Sequence, residues 1–289
     1  LSREIGVFFM EHYMTNEKID HYLKALENEE RAAATIEKYR RALLNFAAFL
    51  SGAAVSPETI RLWKNELHEK NYAPSTINTF LAALNGFFHF CGWSDCRARF
   101  LKIQRRLFRD SRQELTRAEY ERLVAVAEAA GDRSLALLME TICSTGIRVS
   151  EVQYITVEAA KNGKTEIALK GKIRTILLPA KLCRKLLKFA ARQKTASGAI
   201  FRAKSGNAMS RYQIWSKMKK LCERAGVDAE KVFPHNLRHL FATAFYRAYK
   251  DIVKLADVLG HSSIETTRIY LVTSAAEHRR QLEQLQLVL

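Results

Sequence analysis

The chain has 289 residues, 48% hydrophobic and 10% aromatic, with only 12 Gly and 4 Pro, which excludes disordered, collagen-like and low-complexity classes and leaves room for one large domain or two modest ones. Lys and Arg number 47 against 30 Asp and Glu, a net charge of +17, and a surface that positive repels itself unless a polyanion is its partner, so nucleic acid is the first expectation. No run approaches the roughly 18 consecutive apolar residues of a membrane span. The N-terminus lacks the basic region and small-residue cleavage site of a secretory signal. Cys91, Cys96, Cys143, Cys183 and Cys222 form no Cys-x-x-Cys pair and fit neither a disulfide framework nor a zinc ribbon. They are expected to be buried thiols of a cytoplasmic protein.

Residues 1–14 are set apart as an N-terminal extension. From Thr15 to Trp93 the apolar positions recur at helical spacing: Ile36, Tyr39, Leu43, Phe46, Ala47 and Leu50 fall three and four residues apart, then Gly52 and Pro57 interrupt. Ser56-Pro57 reads as an N-cap with Pro in the first turn, and Pro74-Ser75-Thr76 opens a run through Ile77, Phe80, Leu81, Leu84, Phe87 and Phe88. A bundle of about four helices over residues 15–99 follows. Residues 100–113 carry Lys102, Arg105, Arg106, Arg109 and Arg112 without Gly or Pro, a basic interdomain linker. Thr116 to Glu119 then supplies a capping box that opens a new helix.

Charge is unevenly shared: residues 1–110 carry a net +3 and residues 111–289 a net +14, so the anionic partner chiefly meets the second domain, residues 114–273. Within it, Thr165 to Leu169 and Arg174 to Leu178 are short β-compatible runs around Lys170-Gly171-Lys172, a hairpin pattern. The remainder is helical, giving a mainly α fold with a small β-sheet, of the α+β class. Residues 274–289 read as a tail helix with Ala275, Leu282, Leu285 and Val288 on its apolar side, either folded back on its own domain or donated to a neighbouring copy. No Gly-x-x-x-x-Gly-Lys-Ser/Thr or Gly-x-Gly-x-x-Gly pattern occurs, so no nucleotide or other cofactor is expected.

Three clusters in the second domain could carry chemistry: Ser144 to Glu151, Pro234 to His239 and Leu259 to Tyr270. His235 and Arg238, three apart after a proline, share a helical face at a helix start, where backbone N–H groups also favour an anion. Arg148 follows Gly146 at a turn into an apolar helix (Val149, Val152, Ile155), and a second guanidinium there could grip the same phosphate. Each has a plainer reading: Arg148 as the ion-pair partner of Glu151, His235 as a capping or core histidine, Tyr270 as a rim residue of an amphipathic helix. His235 and His239 have zinc-compatible spacing, but Arg238 between them disfavours a cation, so no metal is expected.

In chain order these clusters resemble the boxes of the tyrosine recombinase family, the phage integrase and Xer-type site-specific recombinases. Thr-Gly-x-Arg-x-x-Glu stands as Thr145-Gly146-Ile147-Arg148-Val149-Ser150-Glu151, His-x-Leu-Arg-His as His235-Asn236-Leu237-Arg238-His239, and Leu-Gly-His-x-x-x-x-Thr-Thr-x-x-Tyr runs from Leu259 to Tyr270. Tyr72 to Asn78 is similar to the start of the family's core-binding helix, so the resemblance covers about residues 15–275. The hairpin departs from the family's longer Gly-Lys-Gly-x-Lys-x-Arg turn, reading Lys170-Gly171-Lys172-Ile173-Arg174.

The resemblance implies a helical core-type DNA-binding domain followed by a catalytic domain. Tyr270 would attack a DNA phosphate to leave a 3′-phosphotyrosyl link and a free 5′-hydroxyl. Arg148 and Arg238 would neutralise the non-bridging oxygens, His235 and His261 would hydrogen-bond them, and Lys170, or alternatively Lys172, would protonate the leaving oxygen. Further DNA contacts are expected from Lys102, Arg105, Arg106, Arg109, Arg112, Lys172, Arg174, Ser75, Thr76 and Asn78. His261 and Tyr270 lie about 2.5 turns apart on a continuous helix, so a bend near Ser262 to Thr267 is expected if both touch one phosphate. The implied partners are double-stranded DNA with inverted-repeat core sites and other copies of the chain in a tetramer, in the nucleoid of a prokaryotic cytoplasm, without membrane or nucleotide. A type IB topoisomerase-like nicking and resealing enzyme and a catalytically silent DNA-binding protein are the alternatives.

Overall fold

The computed structural model describes residues 11–103, 113–169, 172–203, 205–270 and 275–285. The chain divides into two compact units, residues 1–105 and 106–289. Among the described residues no helix is long and apolar enough to cross a membrane.

The first unit contains α1 (Asn16–Asn28), α2 (Ala33–Leu50), α3 (Pro57–Glu69) and α4 (Pro74–Phe90). Thr15 caps α1, and Ser56 and Thr59 form a reciprocal capping box ahead of Pro57 at the start of α3, satisfying N–H groups that have no partner inside the helix. Leu43, Phe46, Trp63, Leu81, Leu84 and Phe87 fill the core with no exposed surface. Trp63 keeps its indole N–H satisfied by donating to Asn45 Oδ1 at 3.0 Å. Residues 11–14 are tied to this unit by a β-bridge between His12 and Val55 and by a His12–Asp95 ion pair.

Beyond α4 the chain runs back along that helix, held by two asparagines one pair of turns apart. Asn85 donates to Ala98 O (2.9 Å) and accepts from Ala98 N (2.8 Å); Asn78 does the same with Leu101 at 2.9 and 2.8 Å. Each amide imitates a strand neighbour and satisfies both backbone groups of its partner. Asn78, expected on DNA, therefore has its amide committed to the fold.

The second unit comprises α5 (Arg117–Ala129), α6 (Arg133–Thr145), α7 (Val157–Asn162), β1 (Lys164–Leu169), β2 (Lys172–Leu177), α8 (Ala180–Arg192), α9 (Arg211–Lys219), α10 (Cys222–Ala225), α11 (Pro234–Tyr249), α12 (Ile252–Leu259), α13 (Ile264–Arg268) and α14 (Ala275–Gln284). Helix α6 is buried along most of its length from Leu135 to Ile142 and packs between α5 and α11. β1 and β2 form an antiparallel pair with Ile167 opposite Arg174 and Leu169 opposite Lys172. Lys172, expected in the turn, is the first residue of β2. Of the cysteines, Cys96, Cys183 and Cys222 are buried, whereas Cys91 and Cys143 are half-buried rather than fully enclosed.

Candidate active site

Four pieces of the second unit build the site. The first is the end of α6, where Gly146 adopts φ +64°. A Cβ here would strike the Phe241 ring and come within 3.0 Å of Leu259, so glycine is required both for the left-handed backbone and for close packing. Beyond it Arg148 opens a 3₁₀ turn, Val149–Tyr154, in place of the expected apolar helix. The cause is Glu151: its carboxylate accepts from Arg148 N (2.8 Å) and from the Arg148 guanidinium (2.9 Å), closing the chain tightly.

Glu151 also takes the Arg174 guanidinium from β2. Its side chain is 2% exposed, and those of Arg174 and Arg148 are 11% and 41% exposed. Burial pushes the Glu151 carboxyl up, but the Arg148 N–H and the Arg174 and Arg148 guanidiniums outweigh it and hold it below the usual carboxylate range. Arg174, expected among the DNA contacts, is thus an internal partner: the alternation of β2 turns it inward, onto a carboxylate that needs a cation. Arg148 pairs with Glu151, as its plainer reading required, and still presents an open face to solvent.

The third piece is α11. Pro234 occupies its first turn, His235 is exposed, and Arg238 is buried one turn on. Arg238 donates to Gly146 O, to Leu259 O (2.9 Å) and to His261 Nε2 (2.8 Å). Burial pulls its guanidinium down to about 10, with the Tyr270 hydroxyl acting the other way and Arg148 adding to the fall, so it is still a cation at neutral pH.

The fourth piece is the break between α12 and α13. Gly260 takes φ +63°, and His261 N–H reaches back to Ala256 O at 3.0 Å, the six-to-one bond that ends a helix on a left-handed glycine. The helix thus stops before His261 and restarts at Ile264, capped by Ser263. The direction change comes earlier than the expected 262–267 bend because Gly260 terminates the helix outright. The freed carbonyls of the α12 end meet three arginines in succession: Val258 O accepts from Arg174 (3.0 Å), Leu259 O from Arg238 (2.9 Å) and Gly260 O from Arg148 (3.3 Å). Cations at a helix C-terminus are favoured by both hydrogen bonding and the helix dipole.

Tyr270 closes the site, 4% exposed. Its ring lies 5.0 Å from that of His239, 5.9 Å from that of His261 in a near-parallel stack, and 6.3 Å from that of His235. Its apolar body packs with Ala242, Leu255 and Leu259. His261 is lowered to about 4, by burial first and then by Arg238, Arg148, Arg174 and His235, so its ring is neutral at pH 7.

The structure brings together Arg148, His235, Arg238, His261 and Tyr270. Lys170, Arg105, Arg106, Arg109 and Arg112 lie outside the described residues, as does the side chain of Lys172. Lys102 and Ser75 are exposed and Thr76 is half-buried. Sequence reasoning took Glu151 only as the ion-pair partner of Arg148 and gave Thr267 no role; their burial, the added Arg174 partner of Glu151 and the Thr267 contact with His261 reveal what they do. A possible metal-ligand group, His12, Asp95 and Cys96, lies in the first unit with ligand atoms within 4.8 Å of one another. Its geometry is accounted for by the His12–Asp95 pair (2.9 Å) and by the Cys96 thiol donating to Val55 O, a thiol that burial and then Asp95 push up to about 11.

Comparison with known proteins completes this picture. Residues 113–277 match the Phage integrase family, and residues 19–94 match the Phage integrase, N-terminal SAM-like domain. Tyrosine recombinase XerA of Pyrococcus furiosus is 29% identical over 286 residues, covering 95% of this chain and 96% of the relative. Tyrosine recombinase XerD of Brucella suis biovar 1 is 31% identical over 284 residues, covering 87% and 91%. In fold, the chain is similar to lambda integrase in a tetramer bound to a Holliday junction, with a TM-score of 0.73 at 17% identity over 90% of this chain and 77% of that one. With one match spanning more than half its length and a relative at 31% identity, the chain belongs to the phage integrase family, the tyrosine recombinases.

Proposed function

We propose that this recombinase cuts and rejoins DNA through Tyr270, with no energy-rich cofactor. The carrying observation is the meeting of three sequence-distant boxes at one corner: Tyr270 packed among His235, His239 and His261, beside the buried Arg238. The Tyr270 oxygen releases its proton to solvent and bonds to the scissile phosphorus as the bond to the 5′-oxygen breaks, leaving a 3′-phosphotyrosyl link; a 5′-hydroxyl then reverses the step and conserves the bond. Arg148 and Arg238 neutralise charge on the non-bridging oxygens, and His235, exposed at the start of α11, donates to the same group. Lys170, with Lys172 as the alternative, gives the proton that the leaving 5′-oxygen needs.

The substrate is double-stranded DNA carrying inverted-repeat core sites. Each chain holds one nucleophile and a full exchange cuts four strands, so four copies act together, as a closed head-to-tail ring. The helical first unit and the basic linker add grip on the phosphate backbone. A suicide substrate, nicked so that the 5′-terminated fragment diffuses away, tests the reading. The wild-type protein accumulates a covalent protein–DNA complex, and Tyr270→Phe binds DNA with similar affinity but forms none. Covalent product from Tyr270→Phe would remove Tyr270 as the nucleophile, and none from wild type would remove the cutting activity.

A further inference from the structure

Thr267 is a threonine with no exposed surface on the short helix between His261 and Tyr270, and its Oγ1 lies 2.8 Å from His261 Nδ1. The opposite ring nitrogen, Nε2, lies 2.8 Å from an Arg238 nitrogen. A guanidinium can only donate, so Nε2 is the acceptor and offers its lone pair. A neutral ring then carries its one proton on Nδ1, and Thr267 Oγ1 must be the acceptor there. The groups that act on the ring's charge are Arg238, Arg148, Arg174 and His235, and all of them favour the neutral form.

We propose that Thr267 is a positioning residue whose hydroxyl oxygen holds the proton of His261 on Nδ1, so that Nε2 clamps the Arg238 guanidinium and His261 donates to a phosphate only after Nε2 gains a proton. The proposal rests on the recombinase reading for its second half. In the DNA-free protein His261 orients Arg238 rather than waiting as a donor. When an anionic phosphate arrives, Nε2 takes one proton from solvent, and the resulting imidazolium donates from Nε2 to a phosphate oxygen while Nδ1–H stays on Thr267. The threonine contact is unchanged in both forms, which keeps the ring plane fixed through the change.

The ¹⁵N spectrum of the histidine rings in DNA-free protein at pH 7 tests the first half directly. The expected His261 signals are a protonated Nδ1 and an unprotonated Nε2, and the reverse pattern overturns the proposal whatever the enzyme does on DNA. For the second half, Thr267→Val keeps the shape and removes the acceptor, and Thr267→Ser keeps it. Single-turnover cleavage of the suicide substrate should fall about ten- to a hundredfold in Thr267→Val, the scale of loss when the partner that orients a metal-ligating histidine is removed, carried over to a phosphate-binding one. DNA affinity should stay within about twofold, and Thr267→Ser should recover most of the rate. Wild-type cleavage by Thr267→Val, or an equal loss in Thr267→Ser, overturns it; if Thr267→Val does not fold, Thr267→Ala takes its place under the same criteria. Failure of the wild type to cleave would instead strike the recombinase reading, leaving the ring spectrum to judge the tautomer.

Discussion

Glu151 and His261 are two titratable groups of the site whose protonation the fold disfavours, and both make the molecule sensitive to acid. His261 sits at about 4 when folded against an ordinary 6.5. The unfolded chain therefore binds a proton that the folded chain refuses, and stability falls as pH drops from about 6.5 to about 4. Glu151 is held below its ordinary 4.5, so its contribution is complete above that value and is lost as pH falls below it, overlapping the lower end of the histidine window. Denaturant midpoints at pH 7 and pH 5 should show a drop in the wild type that is clearly smaller in His261→Gln. Because the other histidines are shared by both proteins, equal drops would show that His261 titrates normally. The local sequence announces only the Arg148–Glu151 pair; the Arg174 partner of Glu151 and the arginines around His261 come from other parts of the chain.

Among the elements, the four helices of the first unit were legible because each rests on its own local periodicity, helped by the side-chain caps of α1 and α3 and by Pro in the first turn of α3 and α4. The asparagine pairing along α4 was not, since it joins residues 13 and 23 positions apart, and Asn78 consequently read as a DNA contact. Asn78→Ala should destabilise the first unit by about 1–2 kcal/mol, the cost of two lost hydrogen bonds, while the salt dependence of DNA binding keeps its slope. A flatter slope with unchanged stability would return Asn78 to the DNA. The hairpin shows a different limit: periodicity found both strands, but the start of β2 at Lys172 came only with the pairing register. If Lys170 is the acid, Lys170→Ala slows cleavage of ordinary DNA and is rescued by a 5′-phosphorothiolate leaving group, which needs little protonation; rescue confined to Lys172→Ala transfers the role to Lys172.

At the scale of the whole molecule, the +17 charge and the tail are the features that reach beyond one chain. Helix α14 covers Ala275–Gln284, and Leu282 and Leu285 are 56% and 58% exposed; if the tail is donated to a neighbouring copy, this apolar pair is what it offers. Ending the chain after Thr273 should leave single-site DNA binding within a few-fold and abolish synaptic tetramers and strand exchange in gel-shift and recombination assays; a truncated protein that still synapses refutes a donated helix. Neutralising Arg105, Arg106 and Arg109 together should flatten the log-affinity against log-salt slope by about 2 to 3 units, at ~0.9 per phosphate contact. An unchanged slope would place them off the DNA.

The three carbonyls at the end of α12 make the site collective. Arg174, Arg238 and Arg148 come from a strand, a helix and a turn, yet each holds one of Val258, Leu259 and Gly260, and His261 follows directly. A chain in which this helix end has come loose keeps neither the grouped cations nor the histidine that clamps one of them. Damage there is expected to be all-or-none for each molecule. Gly260→Ala, which sets a Cβ against the Arg174 side chain, should lower the amplitude of a single-turnover cleavage trace more than its rate constant, dividing the protein into molecules that are competent and molecules that are silent.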